Sequence, residues 1–197
     1  MTYSIADMAF ICIPMTIAGI LHMVFIKLPI LSGLLKPMDG GITLWDGKRL
    51  FGENKTWKGF VGMPIGGLIG FGLLGVFCEQ SETIRNLSII NYQDIGGFQN
   101  GWLLGAFLGF GYILAELPNS FIKRRIDIAP GTNKEGLIGK VFLVIDQLDS
   151  AFGCAVAFVF IIPMTFLDIL VLTIVGGIFH YVFAVLLYFV GLKKQMG

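Results

Sequence analysis

Two aspartates three residues apart, Asp146 and Asp149, interrupt a long apolar segment in the second half of the chain. On a helix this spacing places both carboxylates on one face. Charged groups inside apolar segments are rare, and they usually face a cavity or a charged partner. Two carboxylates that leave other positions to water and phosphate are typical of a Mg²⁺ site. The alternative is an ion pair with Lys123, Arg124 or Lys140, and the two aspartates alone favour neither interpretation.

The apolar segment before this pair carries a polar face of its own. Glu116, Asn119, Ser120 and Lys123 follow at three- and four-residue spacing, which places them on one face of a helix. At roughly 1.5 Å per residue, Glu116 lies about 9 Å before the end of its segment, and the two aspartates lie about 8 and 12 Å into the next. Lipid would leave these polar faces unsatisfied, so we expect them to meet each other or a water-filled cavity.

The stretch between these two segments is rich in basic residues and glycine. Cationic side chains form charge-assisted hydrogen bonds to phosphate, and glycines let backbone amides approach it closely. This composition favours a phosphate and metal site over a simple ion pair. The residues concerned are Lys123-Arg124-Arg125, Pro130-Gly131-Thr132-Asn133-Lys134, Gly136, Gly139 and Lys140.

A second loop, residues 37–60, has a similar composition. Glycine-bearing turns and an Asn-Lys-Thr run directly before an apolar segment suit anion binding. The G-x-x-x-x-G-K-[ST] spacing of a P-loop is absent. The alternative interpretation is an ordered loop with flanking cations. The segments concerned are Asp39-Gly40-Gly41, Asp46-Gly47-Lys48-Arg49 and Gly52-Glu53-Asn54-Lys55-Thr56.

The composition places these groups in a membrane protein. Of 197 residues, 55% are hydrophobic and only 14% are charged, whereas a soluble domain averages about 25% charged residues. The net charge of +1 argues against nucleic acid as a partner. Cys12, Cys78 and Cys154 have no ligand spacing and are interpreted as core residues. His22 and His180 lie in apolar segments, and we expect a neighbouring helix to satisfy them.

Five apolar segments approach the roughly 20 residues that a membrane-spanning helix needs. We therefore predict an all-α integral membrane protein with a single polytopic domain over residues 1–197. The first segment has no basic leader before it, and we expect it to be retained as a helix. The predicted helices cover residues of about 8–26, 59–78, 101–122, 141–162 and 169–192.

The distribution of basic residues predicts the orientation of the helices. Every Lys and Arg except Arg85 falls in residues 27–58, in residues 123–140 or in the C-terminal tail. The positive-inside rule then places these loops and the C-terminus in the cytoplasm and the N-terminus outside. The expected location is the cell membrane, with the candidate site facing the cytoplasm.

Glycines recur at four-residue spacing on two of the predicted helices. Small residues on one face let helix backbones approach closely in lipid. This packing could lie within the chain or between subunits, so a homodimer is permitted but not required. The residues are Gly62, Gly66 and Gly70, and then Gly101, Gly105 and Gly109.

Two of the patterns resemble the signature of the CDP-diacylglycerol synthases (phosphatidate cytidylyltransferases). That signature opens with S-x-x-K-R, here Ser120 to Arg124, and closes with D-R-x-D, here Asp146 to Asp149. The chain departs from it at Gln147, which replaces the Arg, and no His-Gly-Gly run precedes the aspartates. The first-loop pattern D-G-G…D-G-x-R…G-x-N-K-T-x-x-G and the short length resemble the archaeal branch, the CDP-archaeol synthases. The motifs span residues 37–150.

The resemblance implies a Mg²⁺-dependent transfer of a cytidylyl group from CTP to an isoprenoid glycerol-phosphate lipid (unsaturated archaetidic acid), with release of pyrophosphate. Asp146 and Asp149 would hold the metal, with Glu116 and Asp127 as second choices. Lys55, Lys123 and Arg124 would be catalytic phosphate contacts. Further CTP contacts are assigned to Gly52, Asn54, Thr56 and Lys140.

Two other functions are compatible with buried acids in a membrane protein. A CDP-alcohol phosphotransferase would need a D-G-x-x-A-R pattern, which Asp46-Gly47-Lys48-Arg49 begins but does not complete. A proton-coupled transporter of phosphorylated or organic anions would favour a midplane site between repeats. Here no repeat is detectable, and the acids lie near one face. A simple membrane scaffold would not explain acids in two helices.

Overall fold

The computed structural model describes residues 1–132 and 134–191. The predicted contributions of Asn133, of Leu192 and of the basic residues Lys193 and Lys194 lie outside this part of the chain. The described residues form six α-helices and two short 3₁₀ turns, without a β-strand. They are α1 (Ile5–Lys27), α2 (Trp57–Gln80), α3 (Glu82–Leu87), α4 (Gly101–Arg125), α5 (Gly136–Phe158) and α6 (Phe166–Phe189), with 3₁₀ turns at Ser32–Leu34 and Phe98–Asn100.

Five of these helices are long and apolar enough to cross a membrane, which confirms the predicted all-α membrane fold. The sixth, α3, lies in a stretch predicted to be only a connecting loop, and Ser81 caps its N-terminus. The fourth predicted helix is displaced: α5 begins at Gly136 and ends at Phe158 instead of 162. Between this end and Pro163 the chain forms turns at residues 159–161.

Helices α2 and α4 pack through their glycines at backbone contact. A methyl group built on Gly105 would lie 2.0 Å from the carbonyl oxygen of Gly67. The other glycine face of α2 contacts α1, where a methyl group on Gly66 would lie 2.5 Å from the carbonyl oxygen of Ala18. Both predicted glycine faces are therefore used within the chain. The homodimer stays a prediction without support from these faces.

The bundle has two ends with different interiors. The α1–α2 and α4–α5 connections lie at one end, called here the site end, and the N-terminus lies at the other, called the far end. The hydrophobic core lies toward the far end, where Met8, Phe71, Leu108 and Phe158 are at most 1% exposed. The site end buries polar groups instead.

The α1–α2 loop is organised around one buried carboxylate. Asp39 is 2% exposed, pairs with Arg49, and accepts hydrogen bonds from the amides of Gly41, Phe51 and Gly52 at 3.1, 3.2 and 3.0 Å. Burial by itself would raise the pKa of Asp39, but the guanidinium and the amides outweigh burial and hold the pKa well below its usual range. The glycine amides that suggested anion binding thus bind the chain's own carboxylate, which is a correction for Gly41 and Gly52.

Ion pairs fasten this loop to the end of α4. Lys48 donates to the carbonyl oxygen of Arg125 at 2.8 Å and pairs with Asp127 at 2.7 Å. Arg125 in turn pairs with Asp46 at 3.2 Å. The loop is therefore held over the start of the α4–α5 connection.

A buried lysine joins the end of α1 to the start of α2. Lys58 is 0% exposed and donates to the carbonyl oxygens of Ile26 and Leu28 at 3.2 and 2.6 Å. These carbonyls lie at the C-terminus of α1, where a cation is favourable. The N-terminus of α2 is thereby fixed beside the end of α1.

Candidate active site

A cavity of about 560 Å³ lies at the site end between α1, α4, α5, α6 and the last residues of the α1–α2 loop. Its polar wall unites residues from both regions that the sequence singled out. The polar lining comprises Asn54, Lys55, Thr56, Glu116, Asn119, Ser120, Lys123, Arg124, Asp146, Gln147 and Asp149.

The two aspartates of α5 converge on one amide of α4. The Nδ2 of Asn119 donates to Asp146 at 2.7 Å and to Asp149 at 2.6 Å. Asp146 also pairs with Lys123, so the ion-pair alternative is present for this residue. Among the described residues, no basic side chain lies within 4.0 Å of Asp149, which accepts instead from the amide of Ser150 at 2.6 Å and lies 2.9 Å from its hydroxyl. One aspartate is thus balanced by a cation and the other is not.

A second buried pair connects the loop to the same cluster. Lys55 forms an ion pair with Glu116, and their side chains are 18% and 19% exposed. The hydroxyl of Ser150 donates to Glu116 at 3.1 Å while also contacting Asp149. Hydrogen bonds therefore run continuously from the α1–α2 loop through α4 to α5.

Several buried polar atoms on the cavity wall have no hydrogen-bond partner. They are Oδ1 of Asn119, Oε1 of Gln147, Nε2 of His22, and both Nε and Nη1 of Arg124. An unsatisfied buried donor or acceptor costs about 1–3 kcal/mol. Both acceptors and cationic donors are therefore left open around one cavity, where water or a ligand can bind them.

Three predicted site residues are not brought to the cavity wall. Asp127 is 73% exposed and pairs with Lys48, and Lys140 is exposed. Gly52 has its amide on Asp39 and lies at φ +107°, a conformation that favours glycine. A methyl group there would lie 2.9 Å from Nη1 of Arg124. Gly52 therefore makes room for the guanidinium.

Three lining residues were missed by the sequence analysis. His22, Tyr112 and His180 come from α1, α4 and α6 and line the cavity together, with the hydroxyl of Tyr112 3.4 Å from Nε2 of His180. As expected, a neighbouring helix contributes a partner to His22, the backbone of Gly59 on α2, while its Nε2 atom has no hydrogen-bond partner among the described residues. No sequence signal could have found this group, because only the packing of three helices brings it together.

Beyond these three residues the cavity continues between α1 and α6 with an apolar lining. Met15, Gly19 and Met23 line it from α1, and Phe179 and Phe183 line it from α6. The site therefore has a polar compartment for charged groups and an apolar compartment beside it, in one continuous space.

The donor set of the polar compartment suits Mg²⁺. Among residues 1–132 and 134–191, no group of three or more His, Cys, Asp and Glu side chains is placed to hold a metal. Mg²⁺ does not require such a group, because it commonly uses one or two carboxylates and fills the remaining positions with water and phosphate. The carboxylates of Asp146 and Asp149 and the open Oδ1 of Asn119 supply hard oxygen donors.

Comparison with known proteins gives a consistent result. The model of the CarS-like family, CDP-archaeol synthase, matches residues 5–196. CDP-archaeol synthases of Thermococcus onnurineus and Archaeoglobus fulgidus are 36% and 35% identical over 117 and 119 residues. These alignments cover 59% and 60% of this chain but only 61% and 58% of the relatives. The chain thus spans about three fifths of their length.

Longer alignments extend this similarity. A CDP-archaeol synthase of Methanococcoides burtonii is 29% identical over 167 residues, which cover 81% of this chain and 89% of the relative. A solved structure described as an intramembrane enzyme for archaeal membrane lipid biosynthesis matches with a TM-score of 0.56 at 20% identity. That match covers 86% of this chain and 90% of the other, and it supports the fold.

Proposed function

Because the chain belongs to the CarS-like family of CDP-archaeol synthases, we propose that it is a CTP-dependent cytidylyltransferase of membrane lipid biosynthesis. Its reaction would convert CTP and unsaturated archaetidic acid to CDP-archaeol and pyrophosphate. The observation that carries this proposal is the two-part cavity, in which cations and carboxylates line one compartment and apolar side chains line the next.

The chemistry asks the protein chiefly for positioning and charge neutralisation. An oxygen of the lipid phosphate attacks the α-phosphorus of CTP, the bond from that phosphorus to the bridging oxygen breaks, and pyrophosphate leaves. No covalent enzyme intermediate is needed. CTP and the lipid phosphate are both polyanions and must be held together. Preorganised cations would therefore be the main contribution of the site to the rate.

Three cations are placed to bind the phosphates. Arg124 already has open guanidinium atoms, so it can accept a phosphate without losing a partner. Lys55 and Lys123 pair with Glu116 and Asp146, and each would exchange or share its carboxylate when phosphate arrives. All three line the same wall.

The N-terminus of α2 adds a partial positive charge at the same wall. Thr56 caps this helix by accepting from the amide of Gly59 at 3.2 Å, and Asn54 precedes it on the cavity wall. Helix N-termini favour phosphate because their amides and dipole point toward it. Thr56 was predicted to contact CTP. We expect it to act mainly by capping α2, whose N-terminus favours phosphate.

Mg²⁺ would be held by Asp146 and Asp149. When bound, the cation neutralises charge on the triphosphate and on the leaving pyrophosphate. With Asp146 bound to the cation, Lys123 would be released from its ion pair with Asp146 and could bind phosphate. Asn119 orients both aspartates, and Glu116 holds Lys55 in place rather than serving as a ligand.

We further propose that the site faces the cytoplasm of a cell in whose membrane the protein lies. The cavity is at the end of the bundle where the basic loops lie, and CTP is a cytoplasmic metabolite. The transporter and CDP-alcohol phosphotransferase alternatives gain no support from the family.

The direct test is an assay of the detergent-solubilised protein with labelled CTP, Mg²⁺ and lipid phosphates. We expect a CDP-lipid and pyrophosphate in equal amounts, and at least about 10³-fold less product from the Asp149→Asn variant. Absence of a CDP-lipid with every lipid phosphate tried would refute the proposal. Anion uptake by sealed vesicles without CTP would favour the transporter instead.

A further inference from the structure

Helices α1 and α6 are joined at the far end and separated at the site end. At the far end, the amide of Thr2 donates to Asp168 at 2.8 Å. Nearer the site end, a methyl group built on Gly176 of α6 would lie 3.9 Å from Sγ of Cys12 in α1. At Gly19, a built methyl group meets nothing within 4 Å. A cleft therefore opens between the two helices, and it widens toward the polar compartment.

One face of α1 lines this cleft. Met15, Gly19, His22, Met23 and Ile26 all lie on the cavity wall and recur at three- and four-residue spacing. Gly19 lies at the centre of that series and has no side chain. The space that a side chain would fill at this position is therefore part of the cavity. The size of the residue at position 19 determines how wide the cleft is.

A polar boundary separates the cleft from the phosphate compartment. His22, Tyr112 and His180, called here the collar, are contributed by the three helices that surround this point. Nε2 of His22 has no partner among the described residues. Hydrogen-bonding groups at the junction of a charged and an apolar compartment suit the glycerol part of a phospholipid, whose phosphate lies on one side and whose chains lie on the other.

We propose that the hydrocarbon chains of the lipid phosphate occupy the α1–α6 cleft, with the glycerol at the collar, and that Gly19 determines which chains fit. The inference rests on the proposed function and specifies its lipid subsite. An isoprenoid chain carries methyl branches at regular intervals, so it needs a wider channel than a straight chain. A methyl group at position 19 would meet no atom of another helix within 4 Å in the described part of the chain, so a larger side chain there would extend into that width.

The test substitutes Gly19→Phe and compares two lipid phosphates, one with two geranylgeranyl chains and one with two straight eight-carbon chains. For the branched lipid we expect KM to rise at least about tenfold, because the lost contacts are apolar packing in a filled cleft. KM for CTP and turnover of the short straight lipid should change less than about threefold, since the polar compartment is untouched.

Two matched variants serve as controls. Gly19→Ala adds only a methyl group in open space, so it should raise KM for the branched lipid by much less than Gly19→Phe does and gives the graded comparison. Ile17→Phe places a phenyl ring on the same helix at a residue that is 37% exposed and does not line the cavity, so it should leave lipid selectivity unchanged. Thermal midpoints of all variants show whether the fold is retained.

The outcomes separate this inference from the proposed function. If Gly19→Phe leaves KM for the branched lipid unchanged, or weakens CTP and both lipids equally, the cleft assignment is wrong. A second readout is the rise in thermal midpoint when the branched lipid phosphate is added without CTP. Wild-type protein that binds this lipid but makes no CDP-lipid would refute the proposed reaction. The cleft assignment would still hold in that case if Gly19→Phe abolishes the binding. Protein that neither binds nor converts it would refute both.

Discussion

The two ends of the bundle both bury carboxylates, but they satisfy them in different ways. At the far end, Asp168 is 0% exposed and accepts from the amide and hydroxyl of Thr165 at 2.9 and 2.6 Å and from the amide of Thr2 at 2.8 Å. At the site end, Asp146 and Asp149 share the side-chain amide of Asn119. Asp149 accepts in addition from the amide of Ser150, and unpartnered buried atoms lie on the same cavity wall. The first arrangement is complete without a ligand, whereas the second is not.

We propose that this difference distinguishes a structural carboxylate from a functional one. Asp39, like Asp168, receives backbone amides and has an assigned role in holding its loop. A carboxylate surrounded by main-chain donors caps or organises the backbone. Asp149 shares the side-chain amide of Asn119 with Asp146. A carboxylate in that arrangement keeps negative charge that a bound cation can neutralise.

The largest expected effect comes from neutralising the site-end pair. Asp149→Asn should lower kcat by about 10³-fold or more, on the scale of losing one preorganised electrostatic group. The matched change at the far end, Asp168→Asn, should leave kcat within about threefold and lower stability by about 1–3 kcal/mol through lost hydrogen bonds. Steady-state kinetics and thermal unfolding of both variants measure the contrast. Equal catalytic losses at the two ends would contradict the division into structural and functional carboxylates.

The next effect concerns the cation with open donors. Arg124→Gln should reduce kcat/KM for CTP by about 10²-fold, because bidentate charge-assisted bonds to phosphate are lost. Lys140→Gln, which removes an exposed cation outside the cavity wall, should change it less than about twofold. Initial rates at varied CTP check both. A larger loss for Lys140→Gln would show that phosphate binds at the α5 N-terminus instead.

A smaller effect is expected for the structural carboxylate of the first loop, and it depends on pH. Its folded pKa lies below its ordinary value of 3.8, so Asp39 contributes stability above that pH and loses the contribution as pH falls toward the folded value. Asp39→Asn should therefore lower the free energy of unfolding by about 1–3 kcal/mol near neutral pH. The difference from wild type should shrink below pH 3.8. A difference that is constant over pH 3 to 7, about the range in which an aspartate titrates, would contradict the ion pair with Arg49.

The smallest effect is expected at Asp127, which the sequence ranked as a second choice for metal. Its side chain is 73% exposed and pairs with Lys48. Exposed ion pairs contribute about 0–1 kcal/mol, so Asp127→Asn should leave kcat unchanged within about twofold. The dependence of the rate on Mg²⁺ concentration is the sharper readout. A shift of that dependence would place Asp127 in the metal site.

The sequence predicted which residues lie together where chemistry and spacing were local. Asp146, Asp149 and Lys123 were placed by helical period and by the cost of charge in an apolar segment, and they lie together in the structure. Lys55 was assigned from its loop composition, and it reaches the same cavity. The five spanning helices followed from apolar length alone.

What the sequence could not predict depends on tertiary contacts. The glycines of the first loop suggested phosphate binding, but a buried Asp39 takes their amides. Lys58 counted as a cytoplasmic cation, and it is buried as a cap for α1. The collar comes from three separate helices, α1, α4 and α6, and only their packing brings its residues together. Composition indicates which groups can bind an anion, but packing determines whether the anion is a ligand or a side chain.

The central claim is that Asp146 and Asp149 form a cation-dependent CTP site, and titration calorimetry of CTP into the detergent-solubilised protein tests it most directly. For the wild-type protein we expect Mg²⁺ to tighten CTP binding by about tenfold or more, since the cation is shared between the carboxylates and the triphosphate. For Asp149→Asn we expect CTP binding of equal strength with and without Mg²⁺. Mg²⁺-dependent binding that persists undiminished in Asp149→Asn would contradict the account.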